Sequence, residues 1–156
     1  MKILIYADSG KGVGLGHLTR CLSLAKKFIE FKHIILLIVN EDKNYKFCDK
    51  SLDMQIEQIK FSENKILNLK NKFKPDLFII DTYKFKKEFI LKIKENILTV
   101  GFDDFRKFNL LYDIIINSSP GSKKGNYKKF KFALLGEKYQ IIKQDLLDKK
   151  RYEVKK

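Results

Sequence analysis

The chain opens Met1-Lys2-Ile3-Leu4-Ile5-Tyr6-Ala7-Asp8-Ser9-Gly10-Lys11-Gly12-Val13-Gly14-Leu15-Gly16-His17-Leu18, and the order of residue types in this stretch decides the fold. Ile3 to Tyr6 is a continuous apolar run, the pattern of a strand covered on both faces. Lys2 to Ala7 is therefore expected to be a buried strand. Asp8 to Gly16 holds four glycines, Gly10, Gly12, Gly14 and Gly16, and predicts a loop. Beyond it, Leu18, Cys21, Leu22, Ala25, Phe28 and Ile29 recur at offsets of three and four, which predicts a helix over His17–Phe31 with one buried face. Ile34 to Val39 is a second short apolar run, closed by Asn40-Glu41-Asp42. Strand, loop, helix and strand in that order make a βαβ unit, which is right-handed almost without exception.

The alternation continues along the chain. Strands are expected at Met54–Ile59, Leu77–Ile80, Ile97–Val100, Tyr112–Ile116 and Phe132–Leu135, and helices at Glu63–Phe73, Lys86–Glu95 and Tyr139–Arg151. Pro75 stops the second helix, and Ser118–Lys124 is a Pro/Gly/Ser loop. Strands alternating with helices imply an α/β fold: an open, mostly parallel sheet with helices on both faces. At 156 residues the chain suits one domain, placed at 1–148, followed by a charged, frayed tail at 149–156.

Composition narrows the function. Hydrophobic residues make up 44% and charged residues 33%, so the chain is globular rather than disordered. Cys21 and Cys48 lack C-x-x-C spacing, which leaves neither a disulfide framework nor a zinc site. No His/Cys/Asp cluster has metal-ligand spacing, so neither metal nor other cofactor is expected. No run of about 18 apolar residues predicts a membrane span, and the first apolar run is too short for a signal peptide, so the chain is expected in the cytoplasm. The net charge of +14 raises nucleic acid as a partner. Yet the arginines are Arg20, Arg106 and Arg151 alone, and the lysines are spread evenly among Ile, Asn and Phe. Readers of base edges and phosphates favour guanidinium forks, so the charge is assigned to a solvated surface able to attract anionic ligands.

Ligands of open α/β sheets bind beyond the carboxyl ends of the strands. Those ends carry Asp8-Ser9, Asp81-Thr82-Tyr83, Asp103-Asp104 and Asn117. Each taken alone is as well explained by helix capping; together they mark a site. Gly14-x-Gly16-His17 leads into the first helix, whose free N–H groups and positive end suit a diphosphate. It is neither the dinucleotide fingerprint, since the third glycine is missing, nor a P-loop, since no Gly-Lys-Ser/Thr closes it. A histidine at a helix N-terminus is biased toward its neutral form. His17 is thus a general base, or else a residue that caps the helix or packs on the loop. His33 is expected to be structural.

The string Ile3-Leu4-Ile5-Tyr6-Ala7-Asp8-Ser9, then Val13-Gly14-Leu15-Gly16-His17-Leu18-x-Arg20-Cys21-Leu22-x-Leu24-Ala25, resembles the start of the UDP-2,4-diacetamido-2,4,6-trideoxy-β-L-altropyranose hydrolases of pseudaminic acid biosynthesis. Ile79-Ile80-Asp81-Thr82-Tyr83, Phe102-Asp103-Asp104, Asp113–Asn117 and Leu134–Tyr139 match in the same order. The resemblance implies a Rossmann-like N-terminal half of a glycosyltransferase B fold. It also implies release of UDP by water attack on the sugar, without a metal. His17 falls on the family's catalytic base and Tyr83 on a substrate or water contact. Asp8, Gly14, Gly16, Arg20, Asp104 and Asn117 fall on other cleft-facing positions. Tyr6 stands where the family commonly has Arg, and Lys143 where it commonly has the Arg of Y-x-x-x-R. Each exchange removes a bidentate donor. The family's C-terminal nucleotide-binding domain has no counterpart here and is expected as a missing or separately encoded partner. Two other outcomes are consistent with the same residues: the N-terminal half of a glycosyltransferase, and a truncated sugar-binding domain without catalysis.

Overall fold

A computed structural model describes residues 1–10, 13–41, 52–105, 111–130 and 132–142. Among these residues seven strands form one sheet: β1 (Lys2–Ala7), β2 (Ile34–Asn40), β3 (Gln55–Ile59), β4 (Leu77–Asp81), β5 (Leu98–Phe102), β6 (Ile114–Asn117) and β7 (Phe132–Leu135). Their order is β3-β2-β1-β4-β5-β6-β7, and every pairing is parallel. The α/β expectation holds, in the doubly wound form. The chain leaves β1 toward one edge and returns at β4 toward the other, so the topological switch point lies between β1 and β4.

Helices cover both faces, which explains why the central strands are apolar on consecutive residues. On one face Ile3, Ile5, Ala7, Ile35, Leu37, Val39 and Ile79 pack against Leu18, Cys21 and Ala25 of α1 (Gly16–Glu30). On the other, Leu4, Tyr6, Leu36, Ile38, Phe78 and Ile80 pack against Ile66 of α2 (Glu63–Phe73) and Phe89, Ile90 and Ile93 of α3 (Lys87–Lys94). Odd and even residues of each strand thus feed separate cores, as the pleat requires. The edge strand β3 is half-buried and more polar.

Helix ends follow local chemistry. Ser62 caps α2, accepting from the Lys65 N–H at 3.4 Å. Lys74, in the left-handed region at φ 52°, ends it before Pro75. By contrast, α1 begins at Gly16 after Leu15, with no side-chain cap and no acid in its first turn. Its first N–H groups are left to another partner.

Two boundaries shift for a packing reason. β5 extends through Gly101 and Phe102, beyond the expected end at Val100. Gly101 is required there by close approach: a Cβ at that position would lie 2.0 Å from Cδ2 of Tyr112. Tyr112 itself stands before β6 rather than within it. The helix expected from Tyr139 does not begin there. Glu137–Tyr139 is a 3-10 turn and residues 140–142 are irregular. The remainder of that expected helix, the tail, Lys143, Cys48, Arg106 and Arg151 lie outside the described residues, as does Gly12. Among the described residues no helix is long and apolar enough to cross a membrane.

Candidate active site

The strand order brings Asp81, the last residue of β4, directly beside Asp8, the residue after β1. The Asp8 N–H donates to the Asp81 carbonyl at 3.0 Å. The glycine loop rises from Asp8 and folds back on itself. Gly10 and Gly14 pair as an isolated antiparallel bridge, with φ of 107° and 77°, conformations that glycine adopts without strain. The turn delivers α1 so that His17 and Arg20, one turn apart, both face the end of β4.

Asp81 is the hub of the site. His17 Nδ1 lies 2.5 Å from Asp81 Oδ1. Arg20 donates from Nε to Asp81 Oδ2 at 2.8 Å and from one terminal nitrogen to Oδ1 at 2.7 Å. The same guanidinium forks onto Asp104 at 3.0 and 2.9 Å and stacks 3.9 Å from the centre of the Phe102 ring. The Tyr83 hydroxyl donates to Asp104 Oδ2 at 2.9 Å, and its ring meets the His17 imidazole edge-on at 5.1 Å. Of the four residues singled out from sequence, His17 and Arg20 therefore bond directly to a carboxylate that the sequence marks only as a strand-end residue, without a role, and Asp104 and Tyr83 are tied to it through Arg20.

The electrostatics correct one expectation. A helix N-terminus alone would hold His17 below its ordinary pKa. Instead its pKa is raised, chiefly by the hydrogen bond to Asp81, against the opposing effect of burial. Burial opposes ionisation of Asp81 as well, but the hydrogen bonds from His17 and Arg20 outweigh it and hold the carboxyl below its usual range. A full carboxylate at 2.5 Å dominates the partial charge of a helix end. With Asp81 accepting at Nδ1, the neutral imidazole carries its proton there, and Nε2 bears the lone pair. No described residue hydrogen-bonds Nε2. Burial pushes the Cys21 thiol, 3.7 Å from Asp81, well above its usual pKa, so it is inert packing.

Asp8 belongs to an adjoining network. Its buried carboxylate accepts from Thr82 Oγ1 at 2.6 Å, from Lys84 Nζ at 2.7 Å and from the Asn40 amide. Asn40 in turn accepts from the Tyr6 hydroxyl at 2.6 Å. Tyr6, lying where the resembled family commonly has Arg, thus anchors the end of β2. Thr82 was marked only as a strand-end residue, and sequence reasoning missed Asn40 and Lys84. The available signal was Asn40 itself, an amide ending an otherwise apolar strand.

Gly14 and Gly16 lie in the loop, and a Cβ at either would meet open space. Asn117 stands apart. It is fully buried, and its amide donates to the Asp103 carbonyl at 2.7 Å and to the Tyr127 hydroxyl at 2.8 Å, while its oxygen accepts from the Ser119 N–H at 2.9 Å. Its role in the fold is to tie the loop after β5 to the loop after β6, rather than to face the cleft as expected. Donor atoms of His17, Asp81 and Asp104 all lie within 4.8 Å of one another, a spacing compatible with a metal ion. Arg20 already bridges both carboxylates, so a cation there would have to displace a guanidinium.

No family model matches the chain. It is 32% identical over its whole length to an uncharacterized protein of Methanocaldococcus jannaschii, of which it covers 33%. It is 27% identical, over 93% of its length, to the UDP-2,4-diacetamido-2,4,6-trideoxy-beta-L-altropyranose hydrolase of Campylobacter jejuni, of which it covers 56%. The chain thus spans between a third and just over half of these curated relatives. Among solved structures, an alpha-glucosyltransferase in complex with UDP and a 13-mer DNA matches 86% of this chain and 40% of its own, with a TM-score of 0.55 and 19% identity. The Rossmann-like α/β fold is therefore shared with part of a glycosyltransferase.

Proposed function

We propose that this chain is the sugar-binding half of an enzyme that acts on a UDP-activated sugar, with hydrolysis as the reaction and His17 as the general base. The observation that carries the reading is the Nδ1 contact of His17 with buried Asp81 at the carboxyl end of β4, which leaves Nε2 as the basic nitrogen of the neutral ring. A neutral imidazole oriented by a carboxylate is the standard arrangement for taking a proton from a nucleophile.

In this reading water lies against Nε2 and attacks the anomeric carbon. The bond from that carbon to the diphosphate oxygen breaks, UDP leaves with the electron pair, and the water proton resides on His17. Asp81 stabilises the imidazolium so formed. The uncapped start of α1 faces the departing diphosphate, whose charge suits the free N–H groups. Arg20 and Asp104 hold Asp81 and Tyr83 in place. Asp8, Gly14 and Gly16 shape the loop around the ligand. The relationship to the Campylobacter hydrolase favours water as the acceptor. Transfer to a hydroxyl acceptor is the second reading, favoured by the glycosyltransferase fold and served by the same base.

Fusing the chain to the part of the Campylobacter hydrolase that it does not cover gives the test. UDP release from the diacetamido sugar nucleotide should appear and should fall roughly a thousandfold in His17→Ala. Release at an unchanged rate in that variant refutes the base assignment.

A further inference from the structure

Phe105 follows Asp104, and its side chain is 67% exposed. A single exposed Phe is ordinary. This one belongs to a row. Its ring centre lies 4.7 Å from that of Tyr83, and the Tyr83 ring meets the His17 imidazole edge-on at 5.1 Å. The Tyr83 hydroxyl is turned onto Asp104, so the carbon part of the ring lines the row with Phe105. Leu15, two residues before His17 at the start of α1, is also exposed. An apolar surface therefore adjoins a cluster that otherwise consists of charged groups, the usual make-up of a small-ligand site: aromatic walls with a few convergent polar groups.

We propose that Phe105 and the ring of Tyr83 form a platform for the apolar face of the substrate's sugar ring, with Phe105 as a specificity-determining residue. The proposal rests on the sugar-nucleotide reading of the site. A pyranose exposes patches of C–H groups on its ring faces, and deoxy carbons or N-acetyl methyls enlarge that apolar area. Dispersion against an aromatic ring rewards such a face and gives less to a hydrated hydroxyl. A uracil ring would also stack on Phe105. Position decides between them: the platform is one ring removed from the base, and the group next to the base is the one whose bond breaks, which is the sugar.

Ligand-observed NMR titration of the chain with UDP-2,4-diacetamido-2,4,6-trideoxy-β-L-altropyranose, and separately with UDP, tests this in wild type, Phe105→Ala and Phe105→Leu. The exposed position leaves folding intact, which the amide spectrum verifies. Phe105→Ala should weaken the sugar nucleotide roughly tenfold, the loss expected for one partly buried apolar side chain. Phe105→Leu should fall between, and affinity for UDP should not change. Equal affinity of wild type and Phe105→Ala for the sugar nucleotide overturns the platform while leaving the sugar-nucleotide reading intact. Equal weakening for UDP overturns it in favour of the base. A wild-type chain that binds the sugar nucleotide no better than UDP overturns the sugar-site reading and the platform with it.

Discussion

Replacing Asp81 by Asn keeps the shape of the hub and removes its charge. The side chain is 1% exposed and accepts from the His17 ring and twice from Arg20, at 2.5, 2.7 and 2.8 Å. An amide offers one oxygen to these donors and turns an NH2 group toward the rest. Hydrogen bonds to a charged acceptor contribute about 1.5–3 kcal/mol each, and removing one partner of a buried ion pair costs about 3–5 kcal/mol. Arg20 keeps Asp104, so the lower part of that range applies, about 3 kcal/mol, or a fall in melting temperature of about 10 °C for a chain of this size. Pairing raises the pKa of His17 and lowers that of Asp81. Its contribution is therefore complete above the unfolded carboxyl value and below the unfolded imidazole value. It is lost as pH falls through the depressed Asp81 pKa, and again as pH rises through the raised His17 pKa. Thermal unfolding near pH 5.5 reads the full effect, and the loss should shrink at about pH 9. Asp104→Asn, whose carboxylate is 30% exposed, is the control and should cost about 1 kcal/mol. Should Asp81→Asn melt within about 2 °C of wild type near pH 5.5, Asp81 does not hold the site together.

Packing and the second network give two more expected outcomes. Gly101→Ala places a Cβ inside the Tyr112 ring and should cost about 3 kcal/mol or prevent folding; urea unfolding checks this by comparing the effect of Gly101→Ala in wild type with its effect in a Tyr112→Ala background, where the clashing ring atoms are gone and the added cost should largely vanish. Tyr6→Phe leaves the Asn40 oxygen without its 2.6 Å donor in a buried setting and should lower stability by about 1–3 kcal/mol, with amide exchange rising first at the ends of β1 and β2; unchanged exchange there contradicts the anchoring role.

The central fold was legible because its physics is local. β1, β2 and β4 are apolar on consecutive residues, and only burial on both faces tolerates that. The α1 stripe Leu18, Cys21 and Ala25 is equally plain. The limits of β5 and β6 were not, because Gly101 is a strand residue for the sake of Tyr112, a neighbour distant in sequence until the chain folds. At the site, the glycine loop pointed to His17, but its partner could not be read. Asp8, Asp81, Asp103 and Asp104 look equivalent along the chain. Only the neighbouring of β1 and β4 selects Asp81, and that carboxylate reverses the pKa direction expected from the helix end. Asn117 likewise resembles the other strand-terminal polar residues, yet its side chain turns inward onto Asp103 and Tyr127. Which way a terminal side chain turns is a tertiary outcome.

Nitrogen-15 NMR of the His17 imidazole through a pH titration tests the central claim directly. The Asp81 contact predicts a pKa above the ordinary 6.5 and, once neutral, a proton on Nδ1 with a bare Nε2. A pKa below that value, or a neutral ring protonated on Nε2, would contradict it and leave His17 without the lone pair that a general base at this position requires.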